Sequence, residues 1–347
     1  MENLANQQQV DAYLAEAYLA PDKPLLVDEY LGHATEIDVD AAADGKEVLV
    51  GAIMEHLEEA GIHSGDSTCF IPAQNIPDAM LKRIEEQTKA IGIGLKIEGC
   101  YNIQFAIQGD NLYTLEVNPR SSRTVPFVAK ATGLPMARIA ANITIGIPLS
   151  EQTIPQRTSG QVCVKAPVFP FIKLRGLDPA PGPEMKSTGE VYGSDVSADV
   201  AYLKARIATE VPVASEGGAY LTVRDDDKLR LVPIAQNLVD LGFTVYATPG
   251  TCDVLRAHDV PATVAYRIAD KNHPDALDLM REGKVSFIVN VPTVSGGAVR
   301  DGNMMRRLAV ELNIPFVTTL RGATMEVAAM KAAKAGPLEP RRLTVHY

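Results

Sequence analysis

The sequence predicts a protein of mixed α/β and α+β class, built from two units with different kinds of sheet. In the first unit, Gly109-Asp110-Asn111 is a turn signal between two segments of alternating polarity, which predicts an antiparallel hairpin. From Ala219 onward, five short apolar segments alternate with helical stretches, which is typical of a doubly wound parallel sheet. We therefore predict a mostly antiparallel domain, a connector rich in proline and glycine, and a parallel-sheet domain, with bounds 1–148, 149–215 and 216–347.

The composition restricts the class of protein. Of 347 residues, 46% are hydrophobic, which is enough for two or three domains with apolar cores. A net charge of −10 argues against binding to nucleic acid through overall charge. The four cysteines are widely spaced and indicate neither a disulfide framework nor a zinc ribbon. No apolar segment approaches the roughly 20 residues that span a bilayer, and no signal peptide is evident, so we expect a cytoplasmic protein without a membrane partner.

The elements of the first unit follow from polarity and from breaks at proline and glycine. We predict, in order, a helix over 7–18, a break at 21–24, strands over 25–30, 35–41 and 47–54, an amphipathic helix over 78–92, and a helical stretch over 125–147 broken at 133–135. The strand over 35–41 places Glu36, Asp38 and Asp40 on one face. Three such carboxylates repel each other unless they are solvated or near a cation, and the sequence does not decide between these for Asp38 and Asp40.

The rest of the chain divides into an irregular part and a regular one. Residues 150–215 are predicted to be irregular and to pack on the first unit, because Phe169, Phe171 and Ile172 require burial. The parallel strands are predicted over 219–223, 243–248, 262–266, 286–290 and 315–318.

The hairpin places polar side chains together on one face. If Gln108 pairs with Leu112, then Gln104 lies opposite Glu116 and Asn102 opposite Asn118. The other face is wholly apolar and is predicted to face the core: Ile103, Phe105, Ile107, Tyr113, Leu115 and Val117. Carboxylate and amide oxygens suit Mg²⁺, and the following arginines, Arg120 and Arg123, suit anionic oxygens. The alternative is a solvated face followed by a basic turn, but the convergence of these groups favours a metal and phosphate site.

A second candidate site lies at the carboxyl edge of the parallel sheet, where such sheets bind ligands. Five residues gather there: Lys228, Thr248, Thr251, Arg267 and Asn290. Gly250 allows close approach of the backbone to a ligand, and Thr251 begins a helix whose free amides favour an anion. For each residue alone, a helix cap or a surface role is the alternative. Together they favour a ligand that contains phosphate.

Three long motifs resemble a known family, the large subunit of carbamoyl phosphate synthetase. MEHLEEAGIHSGDS, LEVNPRSSRTVPFVAKATG and GPEMKSTGEVYG resemble its second ATP-grasp unit, and the final βα region resembles its methylglyoxal-synthase-like allosteric domain. The resemblance covers nearly the whole chain. It implies a partial ATP-grasp domain, a methylglyoxal-synthase-like domain, and phosphorylation of carbamate by ATP to give carbamoyl phosphate for arginine and pyrimidine synthesis. The implied partners are ATP, carbamate, a nucleotide monophosphate effector, a glutaminase small subunit and the remaining large-subunit domains.

The resemblance also implies roles for single residues. The divalent metal, Mg²⁺ or Mn²⁺, would be bound by Gln104, Glu116 and Asn118. Arg123 matches the arginine that steadies the transferred phosphoryl group, with Arg120 beside it. The nucleotide-binding positions are Glu29, Leu31, Glu36, Gly61, Ile62, His63, Ser64, Gln104 and Glu116. A monovalent cation, K⁺, would lie among His56, Glu58, Glu59, Ile62 and Ser64. The effector residues match Lys228, Thr248, Thr251 and Asn290, with Arg267 where the family often has lysine.

The sequence departs from the family in three respects. After Asn290 it runs Val291-Pro292-Thr293, without the two hydroxyls that some members have there, which leaves the identity of the effector open. The final domain lacks the Gly-Gly-Asp signature of true methylglyoxal synthases, so we interpret it as a sensor. The chain opens at Met1 just past the glycine-rich phosphate clamp of the family, so we expect weak or no activity from the isolated chain. A synthetase chain, a regulatory ligand-binding fragment and one piece of a split synthetase are all compatible with the sequence.

Overall fold

A computed structural model of the chain describes residues 4, 6–16, 27–29, 31–157, 160–173, 176–292 and 297–340. The described helices are α1 (Gln7–Glu16), α2 (Asp78–Gly94), α3 (Val125–Thr132), α4 (Met136–Thr144), α5 (Ala198–Ala208), α6 (Lys228–Asp240), α7 (Pro249–Ala257), α8 (Ala276–Arg281), α9 (Gly297–Glu311) and α10 (Leu320–Ala335). The described strands are β1 (Thr35–Asp44), β2 (Val48–Glu59), β3 (Cys69–Ile71), β4 (Glu98–Gln108), β5 (Asn111–Asn118), β6 (Val162–Val168), β7 (Gly189–Asp195), β8 (Gly218–Thr222), β9 (Thr244–Ala247), β10 (Thr263–Val264), β11 (Phe287–Asn290) and β12 (Phe316–Val317).

The first seven strands form one antiparallel sheet in the order β5-β4-β1-β2-β3-β6-β7. Helices α3 and α4 cover part of one face, over the core around Met54, Cys100 and Cys163. Helix α2 covers the opposite face on one side, and α5 covers it on the other. The uncovered part of the first face is polar, and it continues the same rows of side chains that form the core beneath α3 and α4.

The last five strands form a parallel sheet in the order β10-β9-β8-β11-β12. Helices α6, α7 and α10 pack on one face, and α8 and α9 pack on the other. The predicted doubly wound sheet is therefore confirmed. The strand order reverses between β8 and β11, and the crevice beyond the carboxyl ends of these two strands is where such sheets bind ligands.

The structure confirms two of the predicted helical regions and corrects the prediction for the connector. The helix over 78–92 and the pair of helices broken at 133–135 are confirmed. The connector is not irregular, because it contains β6, β7 and α5. Strand β6 pairs with β3 at Cys69↔Lys165, a partner almost 100 residues away that no local pattern reveals. Ile172 is exposed, so the prediction that it requires burial was wrong.

The hairpin has a different turn from the one predicted. Gln108 pairs with Asn111 across a two-residue turn, with Gly109 in the left-handed region at φ 59°, and a β-bulge further along restores the predicted pairs at the open end. Because of this shift, Tyr113 and Leu115 are exposed rather than buried, and the prediction that they face the core was wrong. From β5, Leu112 and Val117 pack against that core.

The N-terminal predictions are only partly covered by the structure. Helix α1 is described as far as Glu16, and residues 17 and 18 of the predicted helix lie outside the described residues. The predicted break at 21–24 also lies outside them. Of the predicted strand over 25–30, only residues 27–29 are described, and they form no strand. Among the described residues, no helix is long and apolar enough to cross a membrane.

Polar contacts join the two sheets. Arg321 of α10 donates to Glu55 of β2 and, at 3.2 Å, to the hydroxyl of Thr35. The carboxylate of Glu326, also on α10, is fully buried and accepts from the hydroxyl of Tyr202 at 2.8 Å and from Arg206 Nε at 2.9 Å, both on α5. The parallel-sheet domain is therefore packed against the side of the first sheet formed by β2 and α5.

Candidate functional site

The polar part of the first sheet is organised as two rows that cross three strands. Asp38 lies opposite Gln104, which lies opposite Glu116. Asp40 lies opposite Asn102, which lies opposite Asn118. The predicted pairs Gln104 with Glu116 and Asn102 with Asn118 are therefore confirmed, and β1 extends both rows with a carboxylate.

The carboxylate of Asp40 is buried and fully hydrogen-bonded. Its side chain is 1% exposed and accepts from Asn102 Nδ2 at 2.9 Å, Ser122 Oγ at 2.7 Å and Thr124 Oγ1 at 2.6 Å. Burial and, to a smaller extent, the neighbouring Asp38 raise the pKa of Asp40 to about 6, although these hydrogen bonds oppose the shift. Of the two alternatives for Asp38 and Asp40, solvation is excluded, since Asp38 is also only 1% exposed. Asp40 fixes the segment that contains Arg123.

A buried histidine lies between the other two carboxylates of β1. His56 Nδ1 is 3.7 Å from Glu36 Oε1, and His56 Nε2 is 3.6 Å from Asp38 Oδ2. The ring is 1% exposed, and neither nitrogen makes a hydrogen bond within the described residues. Burial raises the pKa of Glu36 to about 7, although His56 lowers it. Burial lowers the pKa of His56, but Cys69, Asp38 and Glu36 hold it well above its ordinary value. The imidazolium is the nearest described cation to these carboxylates.

The three candidate metal ligands lie at the accessible end of the rows. Glu116 is exposed, Asn118 is half-buried, and Asn118 Nδ2 donates to Glu116 Oε1 at 2.7 Å. Gln104 Nε2 donates to Ser64 Oγ at 3.3 Å, so its amide group also contacts the nucleotide loop suggested by the sequence. One carboxylate and two amide oxygens on adjacent strands are donors that Mg²⁺ or Mn²⁺ accepts, and the residues present fit a hard divalent cation.

The loop over residues 61–64 lies against the edge of the same face. Glu36 Oε2 accepts from the amide of Gly61 at 3.2 Å, and the amide of His63 donates to the carbonyl of Gly182 at 2.9 Å. Ile62 and Ser64 are half-buried, whereas His63 is exposed. The structure therefore brings Glu36, the loop and Gln104 together, as the sequence expectation requires.

The segment that contains Lys186 and Ser187 packs against this loop. The buried carboxylate of Asp66 accepts from the amides of Lys186 at 2.8 Å and Ser187 at 2.9 Å. Ser187 Oγ donates to the carbonyl of Gly65 at 3.0 Å. The GPEMKST motif is thereby attached to the loop that contains His63.

The two arginines differ in their surroundings. Arg123 Nε is 3.6 Å from Glu190 Oε1, and Arg123 Nη1 donates to Ser187 Oγ at 3.5 Å. Arg120 is exposed, and its Nη1 donates to the carbonyl of Ser121 at 3.3 Å. Only Arg123 is oriented by the segment that covers the loop.

Of the remaining candidate residues for the nucleotide and the monovalent cation, the structure places only some beside the loop over 61–64. Glu58 Oε2 accepts from the amide of Thr68 at 2.6 Å, beside the loop. Glu59 instead lies 3.5 Å from Arg224 and 3.6 Å from His33, so the structure does not bring it to His56. Glu29 is exposed and Leu31 is half-buried, and neither lies in a strand.

Sequence reasoning missed three polar residues of this site because they lie in the part predicted to be irregular. They are Lys165 on β6, and Ser187 and Glu190, which precede and begin β7. The signal for β6 was the alternation in Val162–Val168, VCVKAPV, which puts Lys165 on the same face as Cys163.

Three of the effector candidates form a compact group at the carboxyl edge of the parallel sheet. Thr248 is the N-cap residue of α7, but its side chain makes no capping hydrogen bond, and its Oγ1 lies 3.1 Å from Thr251 Oγ1. A Cβ atom on Gly250 would come within 3.0 Å of Lys228 Nζ, which places the ammonium beside this backbone turn. Lys228 Nζ is also 2.7 Å from Asp225 Oδ1.

The other two candidates lie apart from that group. Asn290 is buried at the end of β11, opposite Thr222 of β8, and its Oδ1 accepts from Arg306 Nη1. Arg267 is exposed and follows β10. The carboxyl edge of this sheet therefore has an ammonium and two hydroxyls at the turn after β9. The amide of Asn290 lies at the end of β11, on the other side of β8.

Comparison with known families identifies both parts of the chain. A family model described as "Carbamoyl-phosphate synthase L chain, ATP binding domain" matches residues 2–152, and a model described as "MGS-like domain" matches residues 230–318. Together with the two sheets, these matches confirm the predicted fold class, a partial ATP-grasp domain followed by a methylglyoxal-synthase-like domain.

Curated relatives align with almost the whole chain. The chain is 41% identical to a carbamoyl phosphate synthase large chain of Methanothermobacter thermautotrophicus, over 100% of this chain and 33% of that protein. It is 41% identical to a "Carbamoyl phosphate synthase large chain, C-terminal section" of Methanocaldococcus jannaschii, over 97% of this chain and 56% of that protein. It is 42% identical to a large chain of Methanosarcina barkeri, over 97% of this chain and 84% of that protein. The chain therefore spans about a third of the length of the first relative and a little over half of the length of the second.

Proposed function

The chain belongs to the carbamoyl phosphate synthase large-chain family, and from that premise we propose that it takes part in the phosphorylation of carbamate by ATP to give carbamoyl phosphate. The observation that supports this function best is the pair Gln104 and Glu116, directly opposite each other on β4 and β5. The loop over 61–64 and Arg123 border the same face. These are the parts that phosphoryl transfer requires: a metal site, a nucleotide loop and a cation for the transferred group.

The metal would be Mg²⁺ or Mn²⁺, held by Glu116, Gln104 and Asn118. The bound cation would supply positive charge that offsets the charge of the nucleotide phosphates. Glu116 is the one exposed carboxylate of the two rows, since Asp38 and Asp40 are buried. Turning Asn118 Nδ2 away from Glu116 would free both oxygens of that carboxylate for the cation.

The nucleotide would lie between the metal face and the loop. Glu36 is buried, its Oε2 accepts from Gly61 and its Oε1 lies 3.7 Å from His56 Nδ1, so it would meet a ribose hydroxyl at Oε2, beside the Gly61 amide. The loop residues Ile62, His63 and Ser64 would cover the phosphates and exclude water, and Glu29 and Leu31 would meet the adenine.

Arg123 would offset charge on the phosphoryl group as it moves to carbamate, with Arg120 as a second, exposed cation. Glu190 and Ser187 orient the guanidinium, so its position is set before the substrate binds. K⁺ is proposed near His56, Glu58, Ile62 and Ser64; Glu59 would have to leave Arg224 to join that set.

The parallel-sheet domain is proposed to sense a nucleoside monophosphate. The phosphate would meet Lys228, Thr248 and Thr251, where an ammonium, two hydroxyls and the N-terminus of α7 converge. Asn290 and Arg267 would contact the rest of the nucleotide. The pathways served would be arginine and pyrimidine synthesis in the cytoplasm.

The proposed partners are a glutaminase small subunit and the remaining large-subunit domains. One relative bears the name "C-terminal section", which favours the candidate that this chain is one piece of a split synthetase. In that case a second chain would carry the other domains of the large chain.

The direct test runs the proposed reaction backwards. The purified chain is mixed with Mg-ADP and carbamoyl phosphate, and the ATP formed is measured. We expect weak or no ATP formation by the chain alone and clear ATP formation once the other part of a large chain is added. This activity should be lost in Glu116→Ala and kept in the control Glu98→Ala, whose exposed carboxylate begins β4, the partner of β5 in the hairpin. Turnover only after adding the other part of a large chain would support the split synthetase. No turnover with that part present, together with monophosphate binding, would overturn the proposal in favour of a regulatory fragment.

A further inference from the structure

A buried lysine lies on β6, the strand next to the edge strand β7 of the first sheet, beside the candidate nucleotide site. Lys165 of β6 is 1% exposed and lies opposite Cys69 of β3, which in turn lies opposite His56 of β2. Side chains directly opposite each other share a face of the sheet, so Lys165 lies on the face that holds the candidate metal ligands.

The charge of this lysine is balanced by acidic groups from several strands. Lys165 Nζ is 3.8 Å from Glu190 Oε1. Burial lowers the pKa of Lys165, but Cys69 and the carboxylates of Glu190, Asp38 and Glu58 raise it, and the resulting pKa lies above the ordinary value. The ammonium is therefore charged at neutral pH. A buried charge is costly unless it is paired and hydrogen-bonded, so its contacts need an explanation.

Lys165 contacts the nucleotide loop through the backbone. Its Nζ donates to the carbonyl of Ser64 at 2.9 Å. The hydroxyl of the same residue accepts from Gln104 Nε2 at 3.3 Å. Ser64 is thus held from two sides, by a buried ammonium and by a candidate metal ligand.

Glu190 links the lysine to the candidate catalytic arginine. Its Oε1 lies 3.8 Å from Lys165 Nζ and 3.6 Å from Arg123 Nε. This oxygen is buried and makes no hydrogen bond within the described residues, so it is shared between two cations and satisfied by neither. A small movement of Arg123 towards Glu190 would complete a hydrogen bond.

We propose that Lys165 and Glu190 are positioning residues for the phosphoryl transfer of the proposed function, on which this inference rests. Lys165 fixes Ser64 and hence the loop over the nucleotide, and Glu190 fixes Arg123. Because one carboxylate oxygen faces both cations, the loop and the arginine are placed relative to each other before ATP binds. A pair with a merely structural role would instead affect stability alone.

The first test measures the loop directly, without any ligand. Hydrogen exchange of the amides over 61–67 is compared in the wild-type chain, Lys165→Met, Lys165→Arg and the control Lys204→Met. Lys204 is a partly buried lysine paired with Asp195 at 2.7 Å, away from Ser64. We expect about tenfold faster exchange in Lys165→Met only, with rates restored in Lys165→Arg. Unchanged exchange in Lys165→Met would overturn the role assigned to Lys165.

The second test separates the two residues by kinetics in the ATP-forming reaction. Lys165→Met is expected to raise KM for the nucleotide about tenfold with a smaller change in kcat. Glu190→Gln is expected to lower kcat about tenfold while KM stays within about twofold. If Lys165→Met does not fold, Glu190→Gln still decides the role assigned to Glu190, and unchanged kcat in that variant overturns it.

The two proposals fail in different ways. If the wild-type chain forms no ATP even with the other part of a large chain, the proposed function has failed, and hydrogen exchange still shows whether Lys165 fixes the loop. If the wild-type chain forms ATP and both variants match it in kcat and KM, the proposed function stands and the positioning roles are wrong.

Discussion

Arg306 of α9 donates to both carboxylate oxygens of Asp178, from Nε to Oδ1 at 2.8 Å and from Nη2 to Oδ2. Its third donor, Nη1, reaches Oδ1 of Asn290 at the carboxyl edge of the parallel sheet. Arg306 is 2% exposed, so a buried guanidinium joins the segment before β7 to a candidate effector residue. This contact, with the Glu326 network, packs the parallel-sheet domain against the rest of the chain.

We expect Asp178→Ala to lower the free energy of unfolding by about 3 kcal/mol, because it leaves the charge of Arg306 buried without its partner. The exposed Asp226 is a matched control, and Asp226→Ala is expected to change stability by no more than about 0.5 kcal/mol. Urea unfolding of the three proteins at pH 7 measures both effects. Equal stability of Asp178→Ala and the wild type would show that the pair contributes nothing.

The contribution of the Asp178–Arg306 pair to the stability of the chain is expected to depend on pH. Burial raises the pKa of Asp178, but the hydrogen bonds from Arg306 and Ala180 outweigh it and hold the pKa below the ordinary value of 3.8. The unfolded chain then binds more protons, so this contribution is complete above pH 3.8 and is lost as the pH falls through the lowered value. The stability difference between wild type and Asp178→Ala should therefore shrink on acidification below pH 4. A difference that is constant down to pH 2 would contradict this origin.

The contribution of Glu36 to the stability of the chain is expected to depend on pH in the opposite direction. Burial raises its pKa from 4.5 to about 7, so the folded chain keeps a proton that the unfolded chain has lost, and stability falls as the pH rises through this window. Glu36→Gln keeps an acceptor for the Gly61 amide without the charge. We expect its stability relative to wild type to increase by about 2 to 3 kcal/mol between pH 4.5 and pH 8. Glu98→Gln, at an exposed position, is the control, and parallel curves for all three proteins would refute the prediction.

A fourth prediction concerns the effector edge. Lys228→Met removes the ammonium beside the turn at Gly250, so affinity for UMP or IMP should fall about tenfold by calorimetry while Mg-ATP binding is unchanged. Lys284→Met is the control, because Lys284 is exposed and precedes β11 at the opposite edge of the sheet. Equal monophosphate affinity of Lys228→Met and wild type would exclude Lys228 from the site.

Local patterns in the sequence were sufficient for much of the fold. Alternation separated Ile37 and Val39 from Glu36 and Asp38, and the structure places the first pair in the core beside α2. The turn signal at Gly109 located the hairpin, but alternation does not show the length of the turn, and the two-residue turn is what places Tyr113 opposite Ala106 and exposes it.

The remainder depends on contacts between distant parts of the chain. Strands β6 and β7 complete the first sheet only because β6 pairs with β3, and proline and glycine nearby obscured their short alternating patterns. For this reason neither Lys165 nor Glu190 was assigned to the site from the sequence, although Glu190 lies within the GPEMKSTGEVYG motif. It also did not show that Glu59 pairs with Arg224 of the second unit rather than with the cation-binding set.

We propose that the polar face of the first sheet binds Mg-ATP through Glu116, and calorimetric titration can measure this binding. The wild-type chain and the control Glu98→Ala are titrated with ATP in the presence and absence of Mg²⁺, alongside Glu116→Ala. We expect Mg²⁺-dependent binding to the first two proteins and at least about tenfold weaker binding to Glu116→Ala. Binding that is equal in all three, or that is independent of Mg²⁺, would contradict it.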